Sequence, residues 1–253
     1  MINFKVKLGI VLFLLGLLGV FSLLTMEMNI PAQLNALTEK YSEAQLRWLS
    51  LVNPTIFLFI SVVVGVTLYT KVNFKVPLIE SLLGKLPREG ISSSIFVYGV
   101  AGGFLAGIAI LSVAWIYQPF LSDQMLQLEN SLKPSLLTRF LYGGITEEIL
   151  IRFGIMTLLV WLIMKIFRSQ KSGVYWGGIL LSALIFAVGH FPIVFVMLPS
   201  PSLILLSYVL IANTVGGVVF GWLYWKKGLE SAMLAHMMAH LVMVTIAFFI
   251  GTT

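Results

Sequence analysis

Apolar residues along this chain come in long unbroken runs, with none of the one-sided stripes of a soluble amphipathic helix. The runs lie at about 8–26, 52–70, 94–117, 136–167, 174–191, 203–225 and 230–250. Each is long enough to cross roughly 30 Å of hydrocarbon. In lipid such a run has to be helical, because only a helix pairs its own backbone groups. The pattern predicts an all-α fold, a polytopic membrane bundle of about seven transmembrane helices. The fourth run is long, roughly 48 Å at 1.5 Å per residue, and predicts a tilt or a kink near Gly143-Gly144. Pro192, Pro199 and Pro201 mark a loop after the fifth run. Leu34, Leu37, Tyr41, Leu46 and Trp48, set among charges, suggest an interfacial helix before the second. Met1 to Lys7 ahead of an apolar run imitates a signal peptide, but the run is long and Glu27 to Ala36 has no small-x-small site, so it reads as a retained first span. With no internal repeat, residues 1–253 are expected to form a single membrane domain.

Composition sharpens this picture. The chain is 59% hydrophobic and only 10% charged, where soluble domains are about a quarter charged. The net charge of +6 is no nucleic-acid footprint, because most Lys and Arg flank the apolar runs. Eleven basic residues fall on one side of the bundle, including Lys5, Lys7, Lys71, Lys75, Lys85, Arg88 and Lys226, against four on the other, Lys40, Arg47, Lys133 and Arg139. The positive-inside rule then predicts a cytoplasmic N-terminus and an external C-terminus. The absence of cysteine excludes thiol nucleophiles and thiolate metal sites.

Charges inside the spans are the exceptions that matter, since each costs roughly 2.5–3.5 kcal/mol on insertion scales. Span 4 carries Glu147, Glu148 and Arg152. All three histidines of the chain sit in or near spans: His190 at the end of span 5, and His236 and His240 on span 7. Glu148 and Arg152 are four apart, on one helix face, and can pair. Glu147 points elsewhere and must find its partner on another helix. Gly143 and Gly144, one turn earlier, allow a neighbouring helix to approach closely. His236 and His240 are also four apart and share a face. By rise alone, Glu147 lies about 18 Å from the external end of span 4 and His236 about 9 Å from the cytoplasmic end of span 7, so the two meet only if the helices tilt or the span boundaries differ from these.

Two chemistries suit these residue types. In one, Glu147 and a histidine polarise a water while other histidines donate to an oxyanion. In the other, Glu147, His190, His236 and His240 ligate a divalent metal such as zinc, for which His-x3-His on a helix is suitable spacing. The residues alone leave both open. A structural ion-pair cluster without catalysis is the third reading, and Phe186 taken singly is ordinary core.

Three segments together resemble a known family. Glu147-Glu148-Ile149-Leu150-Ile151-Arg152, Phe186-Ala187-Val188-Gly189-His190 and His236-Met237-Met238-Ala239-His240 are similar in order and spacing to the motifs of the CAAX protease and bacteriocin-processing family, the Abi family of intramembrane proteases. The resemblance covers about 136–245 and marks that stretch as a candidate catalytic core; residues 1–135 match only as generic spans. It implies a glutamate-dependent, metal-independent endopeptidase in a bacterial cytoplasmic membrane, with no cofactor expected. Glu147 and His190 would activate water. His236 and His240 would stabilise the oxyanion, with Glu148, Arg152 and Phe186 in support. Its partners would be the lipid bilayer and a peptide or lipidated protein tail of CaaX or bacteriocin-leader type. The family's usual asparagine is His240 here. An imidazole N–H still serves an oxyanion, but the change keeps open a metal-dependent protease and a non-catalytic scaffold or bacteriocin-immunity protein.

Overall fold

The computed structural model describes residues 3–28, 39–87, 93–198 and 200–250. Seven segments long and apolar enough to cross a membrane occupy the predicted runs: Phe4–Thr25, Glu43–Val72, Ser94–Leu121, Leu136–Phe167, Ser172–Met197, Leu203–Lys227 and Leu229–Phe249. The protein is an all-α polytopic integral membrane protein. In chain order the helices are α1 (Phe4–Ser22), α2 (Glu43–Ser50), α3 (Val52–Leu68), α4 (Pro77–Leu82), α5 (Ser94–Ser131), α6 (Leu136–Phe167), α7 (Ser172–Val188), α8 (Phe191–Met197), α9 (Leu203–Lys227) and α10 (Leu229–Phe249). A two-residue antiparallel ladder, Glu27–Met28 on Leu132–Lys133, ties the end of α1 to the entry of α6.

The helices sort their side chains as lipid solvent demands. On α1, Val6, Ile10, Leu14 and Leu18 recur every four residues and face outward, while Leu8, Leu12, Gly16 and Gly19 are buried. On α3 the outward face is Phe57, Ile60 and Val63, and the inward face includes Ser61 and Gly65. Small residues inward let backbones approach, which is how helices associate when lipid removes the hydrophobic drive between them. A side-chain carbon at Gly65 would overlap the Phe153 ring, and one at Gly154 would lie 2.5 Å from Ser61 Cβ. Gly16 likewise brings α1 close enough for its carbonyl to accept from the Thr146 hydroxyl at 2.8 Å.

α6 is the hub, packed by α1, α3 and α10. The expected kink at Gly143-Gly144 is replaced by a change of winding. From Arg139 to Met156 the backbone forms a π-helix. The Thr157 N–H bonds the Arg152 carbonyl five residues back, and the Thr146 hydroxyl reaches the Leu141 carbonyl, also five back, at 3.3 Å. Such turns usually occur singly and concentrate at functional sites. Here the widened stretch carries Gly143, both acids and Arg152.

Two further expectations are corrected. The loop expected after His190 does not start there: α8 begins at once, with Pro192 in its first turn, where the missing N–H breaks no helical bond, and Pro201 lies in the non-helical stretch before α9. α5 runs past its expected end near 117, through Pro119, to Ser131. A count of apolar residues registers where the lipid ends, and the helix continues beyond it. The suggested interfacial helix is realised as α2, opened by a Ser42–Gln45 capping box and braced by Glu43–Arg47 at 2.8 Å, then leading into α3. Leu34, Leu37, Arg88 and Pro199 lie outside the described residues.

At the end holding Lys85 and Lys75, α4 clamps the start of α10. Glu230 accepts from the Ile79 N–H at 3.0 Å, and the Leu229 N–H donates to the Lys75 carbonyl at 3.1 Å. Gly228 turns there with φ +107, and a Cβ would lie 2.5 Å from the Pro77 ring. Lys85 pairs with Glu80 and donates to the Tyr69 hydroxyl at 3.2 Å. Burial works against its charge, but the bonds to Glu80 and Tyr69 outweigh that and raise its pKa. α10 thus enters the bundle at a fixed height.

Candidate active site

Four helices bring the three motifs together. α6 supplies Glu147, Glu148 and Arg152, α7 supplies Phe186 and leads to His190, α9 supplies Phe220 and the Gly217 carbonyl, and α10 supplies His236 and His240. The unequal depths read from the sequence do not keep them apart, because α10 packs directly on the widened part of α6.

Glu148 and Arg152 pair as their spacing predicts, Oε1 to Nη1 at 3.2 Å, both fully buried. Arg152 also donates from Nη2 to the Gly217 carbonyl at 3.2 Å. Its guanidinium stacks over Phe186 at 4.9 Å and Phe220 at 5.4 Å from the ring centres, a contact that offsets part of the cost of burying a cation. The same Glu148 oxygen lies 2.8 Å from His236 Nδ1. The Glu148 carboxylate therefore joins α6 to α10.

Glu147 finds its partner on another helix, as its lack of a local one requires. Its Oε2 is 3.9 Å from His236 Nε2. That is too long for a direct hydrogen bond and is a separation at which a bridging water has to be considered. Glu147 is 18% exposed where Glu148 and Arg152 are at 0%, so of the two acids it is the one that solvent or substrate can reach. His190 is fixed by Nδ1 against the Phe186 carbonyl at 2.9 Å, with its ring edge-on to Phe186. The histidine facing Glu147 is thus His236.

The imidazoles stack. Phe220 lies 4.5 Å from His236 and His236 4.9 Å from His240, each pair within about 20° of parallel. Phe220 carries no motif signal in the sequence, since one phenylalanine in an apolar span looks like all the others. Gly143 and Gly144 do admit the neighbouring helix: a side-chain carbon at Gly144 would overlap Met237, and one at Gly143 would lie 2.8 Å from His240 Nε2 and 3.6 Å from His236 Nε2. A methyl at Gly143 is therefore expected to displace His240. If the site hydrolyses peptides as the family resemblance implies, Gly143→Ala is expected to lower cleavage by up to about 100-fold, the scale of a 1 Å misplacement, while the melting temperature moves little. Wild-type turnover in that variant would mean that these two nitrogens do not face the reaction.

A cavity of about 190 Å³ adjoins the stack, lined by Phe186, Phe220, His236 and His240 and, further along α9, by Asn213 and Tyr208. An apolar cavity of about 150 Å³ holds a benzene ring, so this one takes a single large apolar side chain. Among the described residues no three His, Asp or Glu side chains converge as a ligand set for a metal ion.

The family model for type II CAAX prenyl endopeptidases, Rce1-like, matches residues 130–242, a stretch that contains all three motifs. No curated protein and no solved structure matches the chain.

Proposed function

We propose that this protein, whose residues 130–242 match the Rce1-like family model of type II CAAX prenyl endopeptidases, is an intramembrane endopeptidase that hydrolyses membrane-associated peptides or protein tails with a glutamate-activated water. The observation that carries this reading is Glu147, a partly accessible carboxylate without an ion-pair partner on its own helix, 3.9 Å from His236 Nε2 at the edge of the site. A water held there gives a proton to Glu147 as its oxygen bonds the peptide carbonyl carbon. His190, which the family resemblance assigns to water activation, is bonded through Nδ1 to the Phe186 carbonyl, and His240 would donate to the oxyanion. The chemistry proposed here uses no resident cofactor.

A site at bilayer depth favours substrates with a lipid or apolar anchor, and the adjoining cavity favours a large apolar side chain next to the scissile bond. We place the enzyme in a bacterial cytoplasmic membrane with its N-terminus inside, following its basic residues, and favour a small peptide or leader as substrate. The test compares protein N-termini in membranes of cells making equal amounts of wild type or Glu147→Gln. Termini that depend on wild type would name the substrates. Identical sets would point to a scaffold or immunity role. Stoichiometric metal that is required for cleavage and lost in a His236/His240 double variant would point to a metalloprotease.

A further inference from the structure

All three imidazoles are held differently, and the way each is held determines which nitrogen faces the site. His236 Nδ1 lies 2.8 Å from Glu148 Oε1, an oxygen that also faces Arg152 Nη1 at 3.2 Å. A carboxylate paired with arginine only accepts, so His236 carries a hydrogen on Nδ1, and in the neutral ring its Nε2 carries a lone pair. His190 Nδ1 lies 2.9 Å from the Phe186 carbonyl. A carbonyl also only accepts, so His190 too has its hydrogen on Nδ1 and a lone pair on Nε2. His240 is the opposite case. Its Nδ1 is buried with no hydrogen-bond partner, and its Nε2 lies over Gly143 on the site side. The hydrogen of His240 belongs on Nε2, where an acceptor can reach it.

We propose that Glu148 is a positioning residue that sets the tautomer of His236, so that His236 serves as a proton acceptor beside Glu147 and His240 is the oxyanion donor. This rests on the endopeptidase reading above and departs from the role that the family resemblance gives His236, which as a neutral Nδ1–H ring has no hydrogen to offer from Nε2. The step balances as follows. Water loses a proton to the Glu147 carboxylate and bonds the carbonyl carbon. The carbonyl π pair moves to oxygen and is held by His240 Nε2–H. The proton on Glu147 passes to His236 Nε2, and the resulting imidazolium is stabilised through Nδ1–H by Glu148. It then protonates the leaving nitrogen as the C–N bond breaks. The stacking of Phe220 on His236 holds the ring plane throughout.

With only three histidines in the chain, the tautomers can be read directly. The full-length protein is labelled with 15N-histidine, treated with chelator, held in detergent micelles and examined by long-range 1H–15N correlation, with assignment from His190→Gln and His240→Gln. The expected spectrum has His190 and His236 protonated on Nδ1 and His240 on Nε2. In Glu148→Gln, His236 is expected to lose its Nδ1–H preference while the other two rings keep theirs, and cleavage to fall on the order of 100-fold or more. A wild-type His236 protonated on Nε2 or on both nitrogens, or one whose tautomer is unchanged in a folded Glu148→Gln, overturns the proposal. The wild-type spectrum decides the tautomers even if Glu148→Gln does not fold. It also decides them if no substrate is cleaved, an outcome that would sink the peptidase reading instead.

Discussion

Arg152→Met is expected to destabilise the protein by about 3–5 kcal/mol, the usual cost of removing one partner from a buried ion pair. Arg152 and Glu148 are both fully buried, so the carboxylate left behind has no water to turn to. Methionine roughly keeps the length of the side chain, and the loss is therefore of charge and hydrogen bonds more than of volume. It includes the bond to the Gly217 carbonyl at 3.2 Å and the stacking on Phe186 and Phe220. Arg152→Lys is expected to recover only part, because an ammonium lacks the planar fork that reaches Glu148 and Gly217 together. Arg152→Met combined with Glu148→Leu is expected to regain most of the stability, since replacing both members of a buried pair by apolar groups is often nearly neutral. The measurement is the denaturation midpoint of purified protein in detergent. A single variant as stable as wild type would show that the pair is dispensable for folding.

How far the sequence discloses this site follows from the physics at each level. Lipid leaves the backbone one solution per apolar run, so all seven spans are legible, Phe4–Thr25 through Leu229–Phe249. The Glu148–Arg152 pair is legible because it is local, four residues on one face. That Glu147 needs a partner from another helix is legible, but which histidine supplies it is not: the shared Glu148 oxygen between Arg152 and His236 exists only once α10 lies on α6. The π-wound stretch is hidden for a different reason. A window of one turn does not separate a period of 3.6 from a wider one, and the widening is held by contacts such as Thr146 to the Gly16 carbonyl, 130 residues away. Phe220 is hidden because its role is set by what stacks on it. Gly143 is the intermediate case: the sequence marks it as a place of close approach, and the structure shows that the imidazoles of His236 and His240 are what approach it.

Glu147→Gln is expected to lower the rate of a single cleavage event by about 10²–10⁴, the contribution of a positioned general base, and to leave the fold intact. The two neighbouring acids should therefore separate cleanly. Glu148 is at 0% exposure, ion-paired with Arg152 and hydrogen-bonded to His236, and its loss should alter the geometry and tautomer of the site. Glu147 is 18% exposed and has no hydrogen bond to either group, with His236 Nε2 at 3.9 Å. Glutamine has nearly the same shape and needs no counter-charge, so its burial costs less than that of a carboxylate, and the melting temperature should hold or rise. What glutamine lacks is a basic oxygen: it can orient a water but cannot take its proton. Single-turnover kinetics on reconstituted protein, with the melting temperature measured on the same preparation, checks both halves. A rate within a few-fold of wild type would remove Glu147 from the proton-transfer step, whereas a lost rate accompanied by a lost fold would mean that its carboxylate holds the helices together. A lost rate in a protein that melts at or above the wild-type temperature is the outcome that only a chemical role for Glu147 produces.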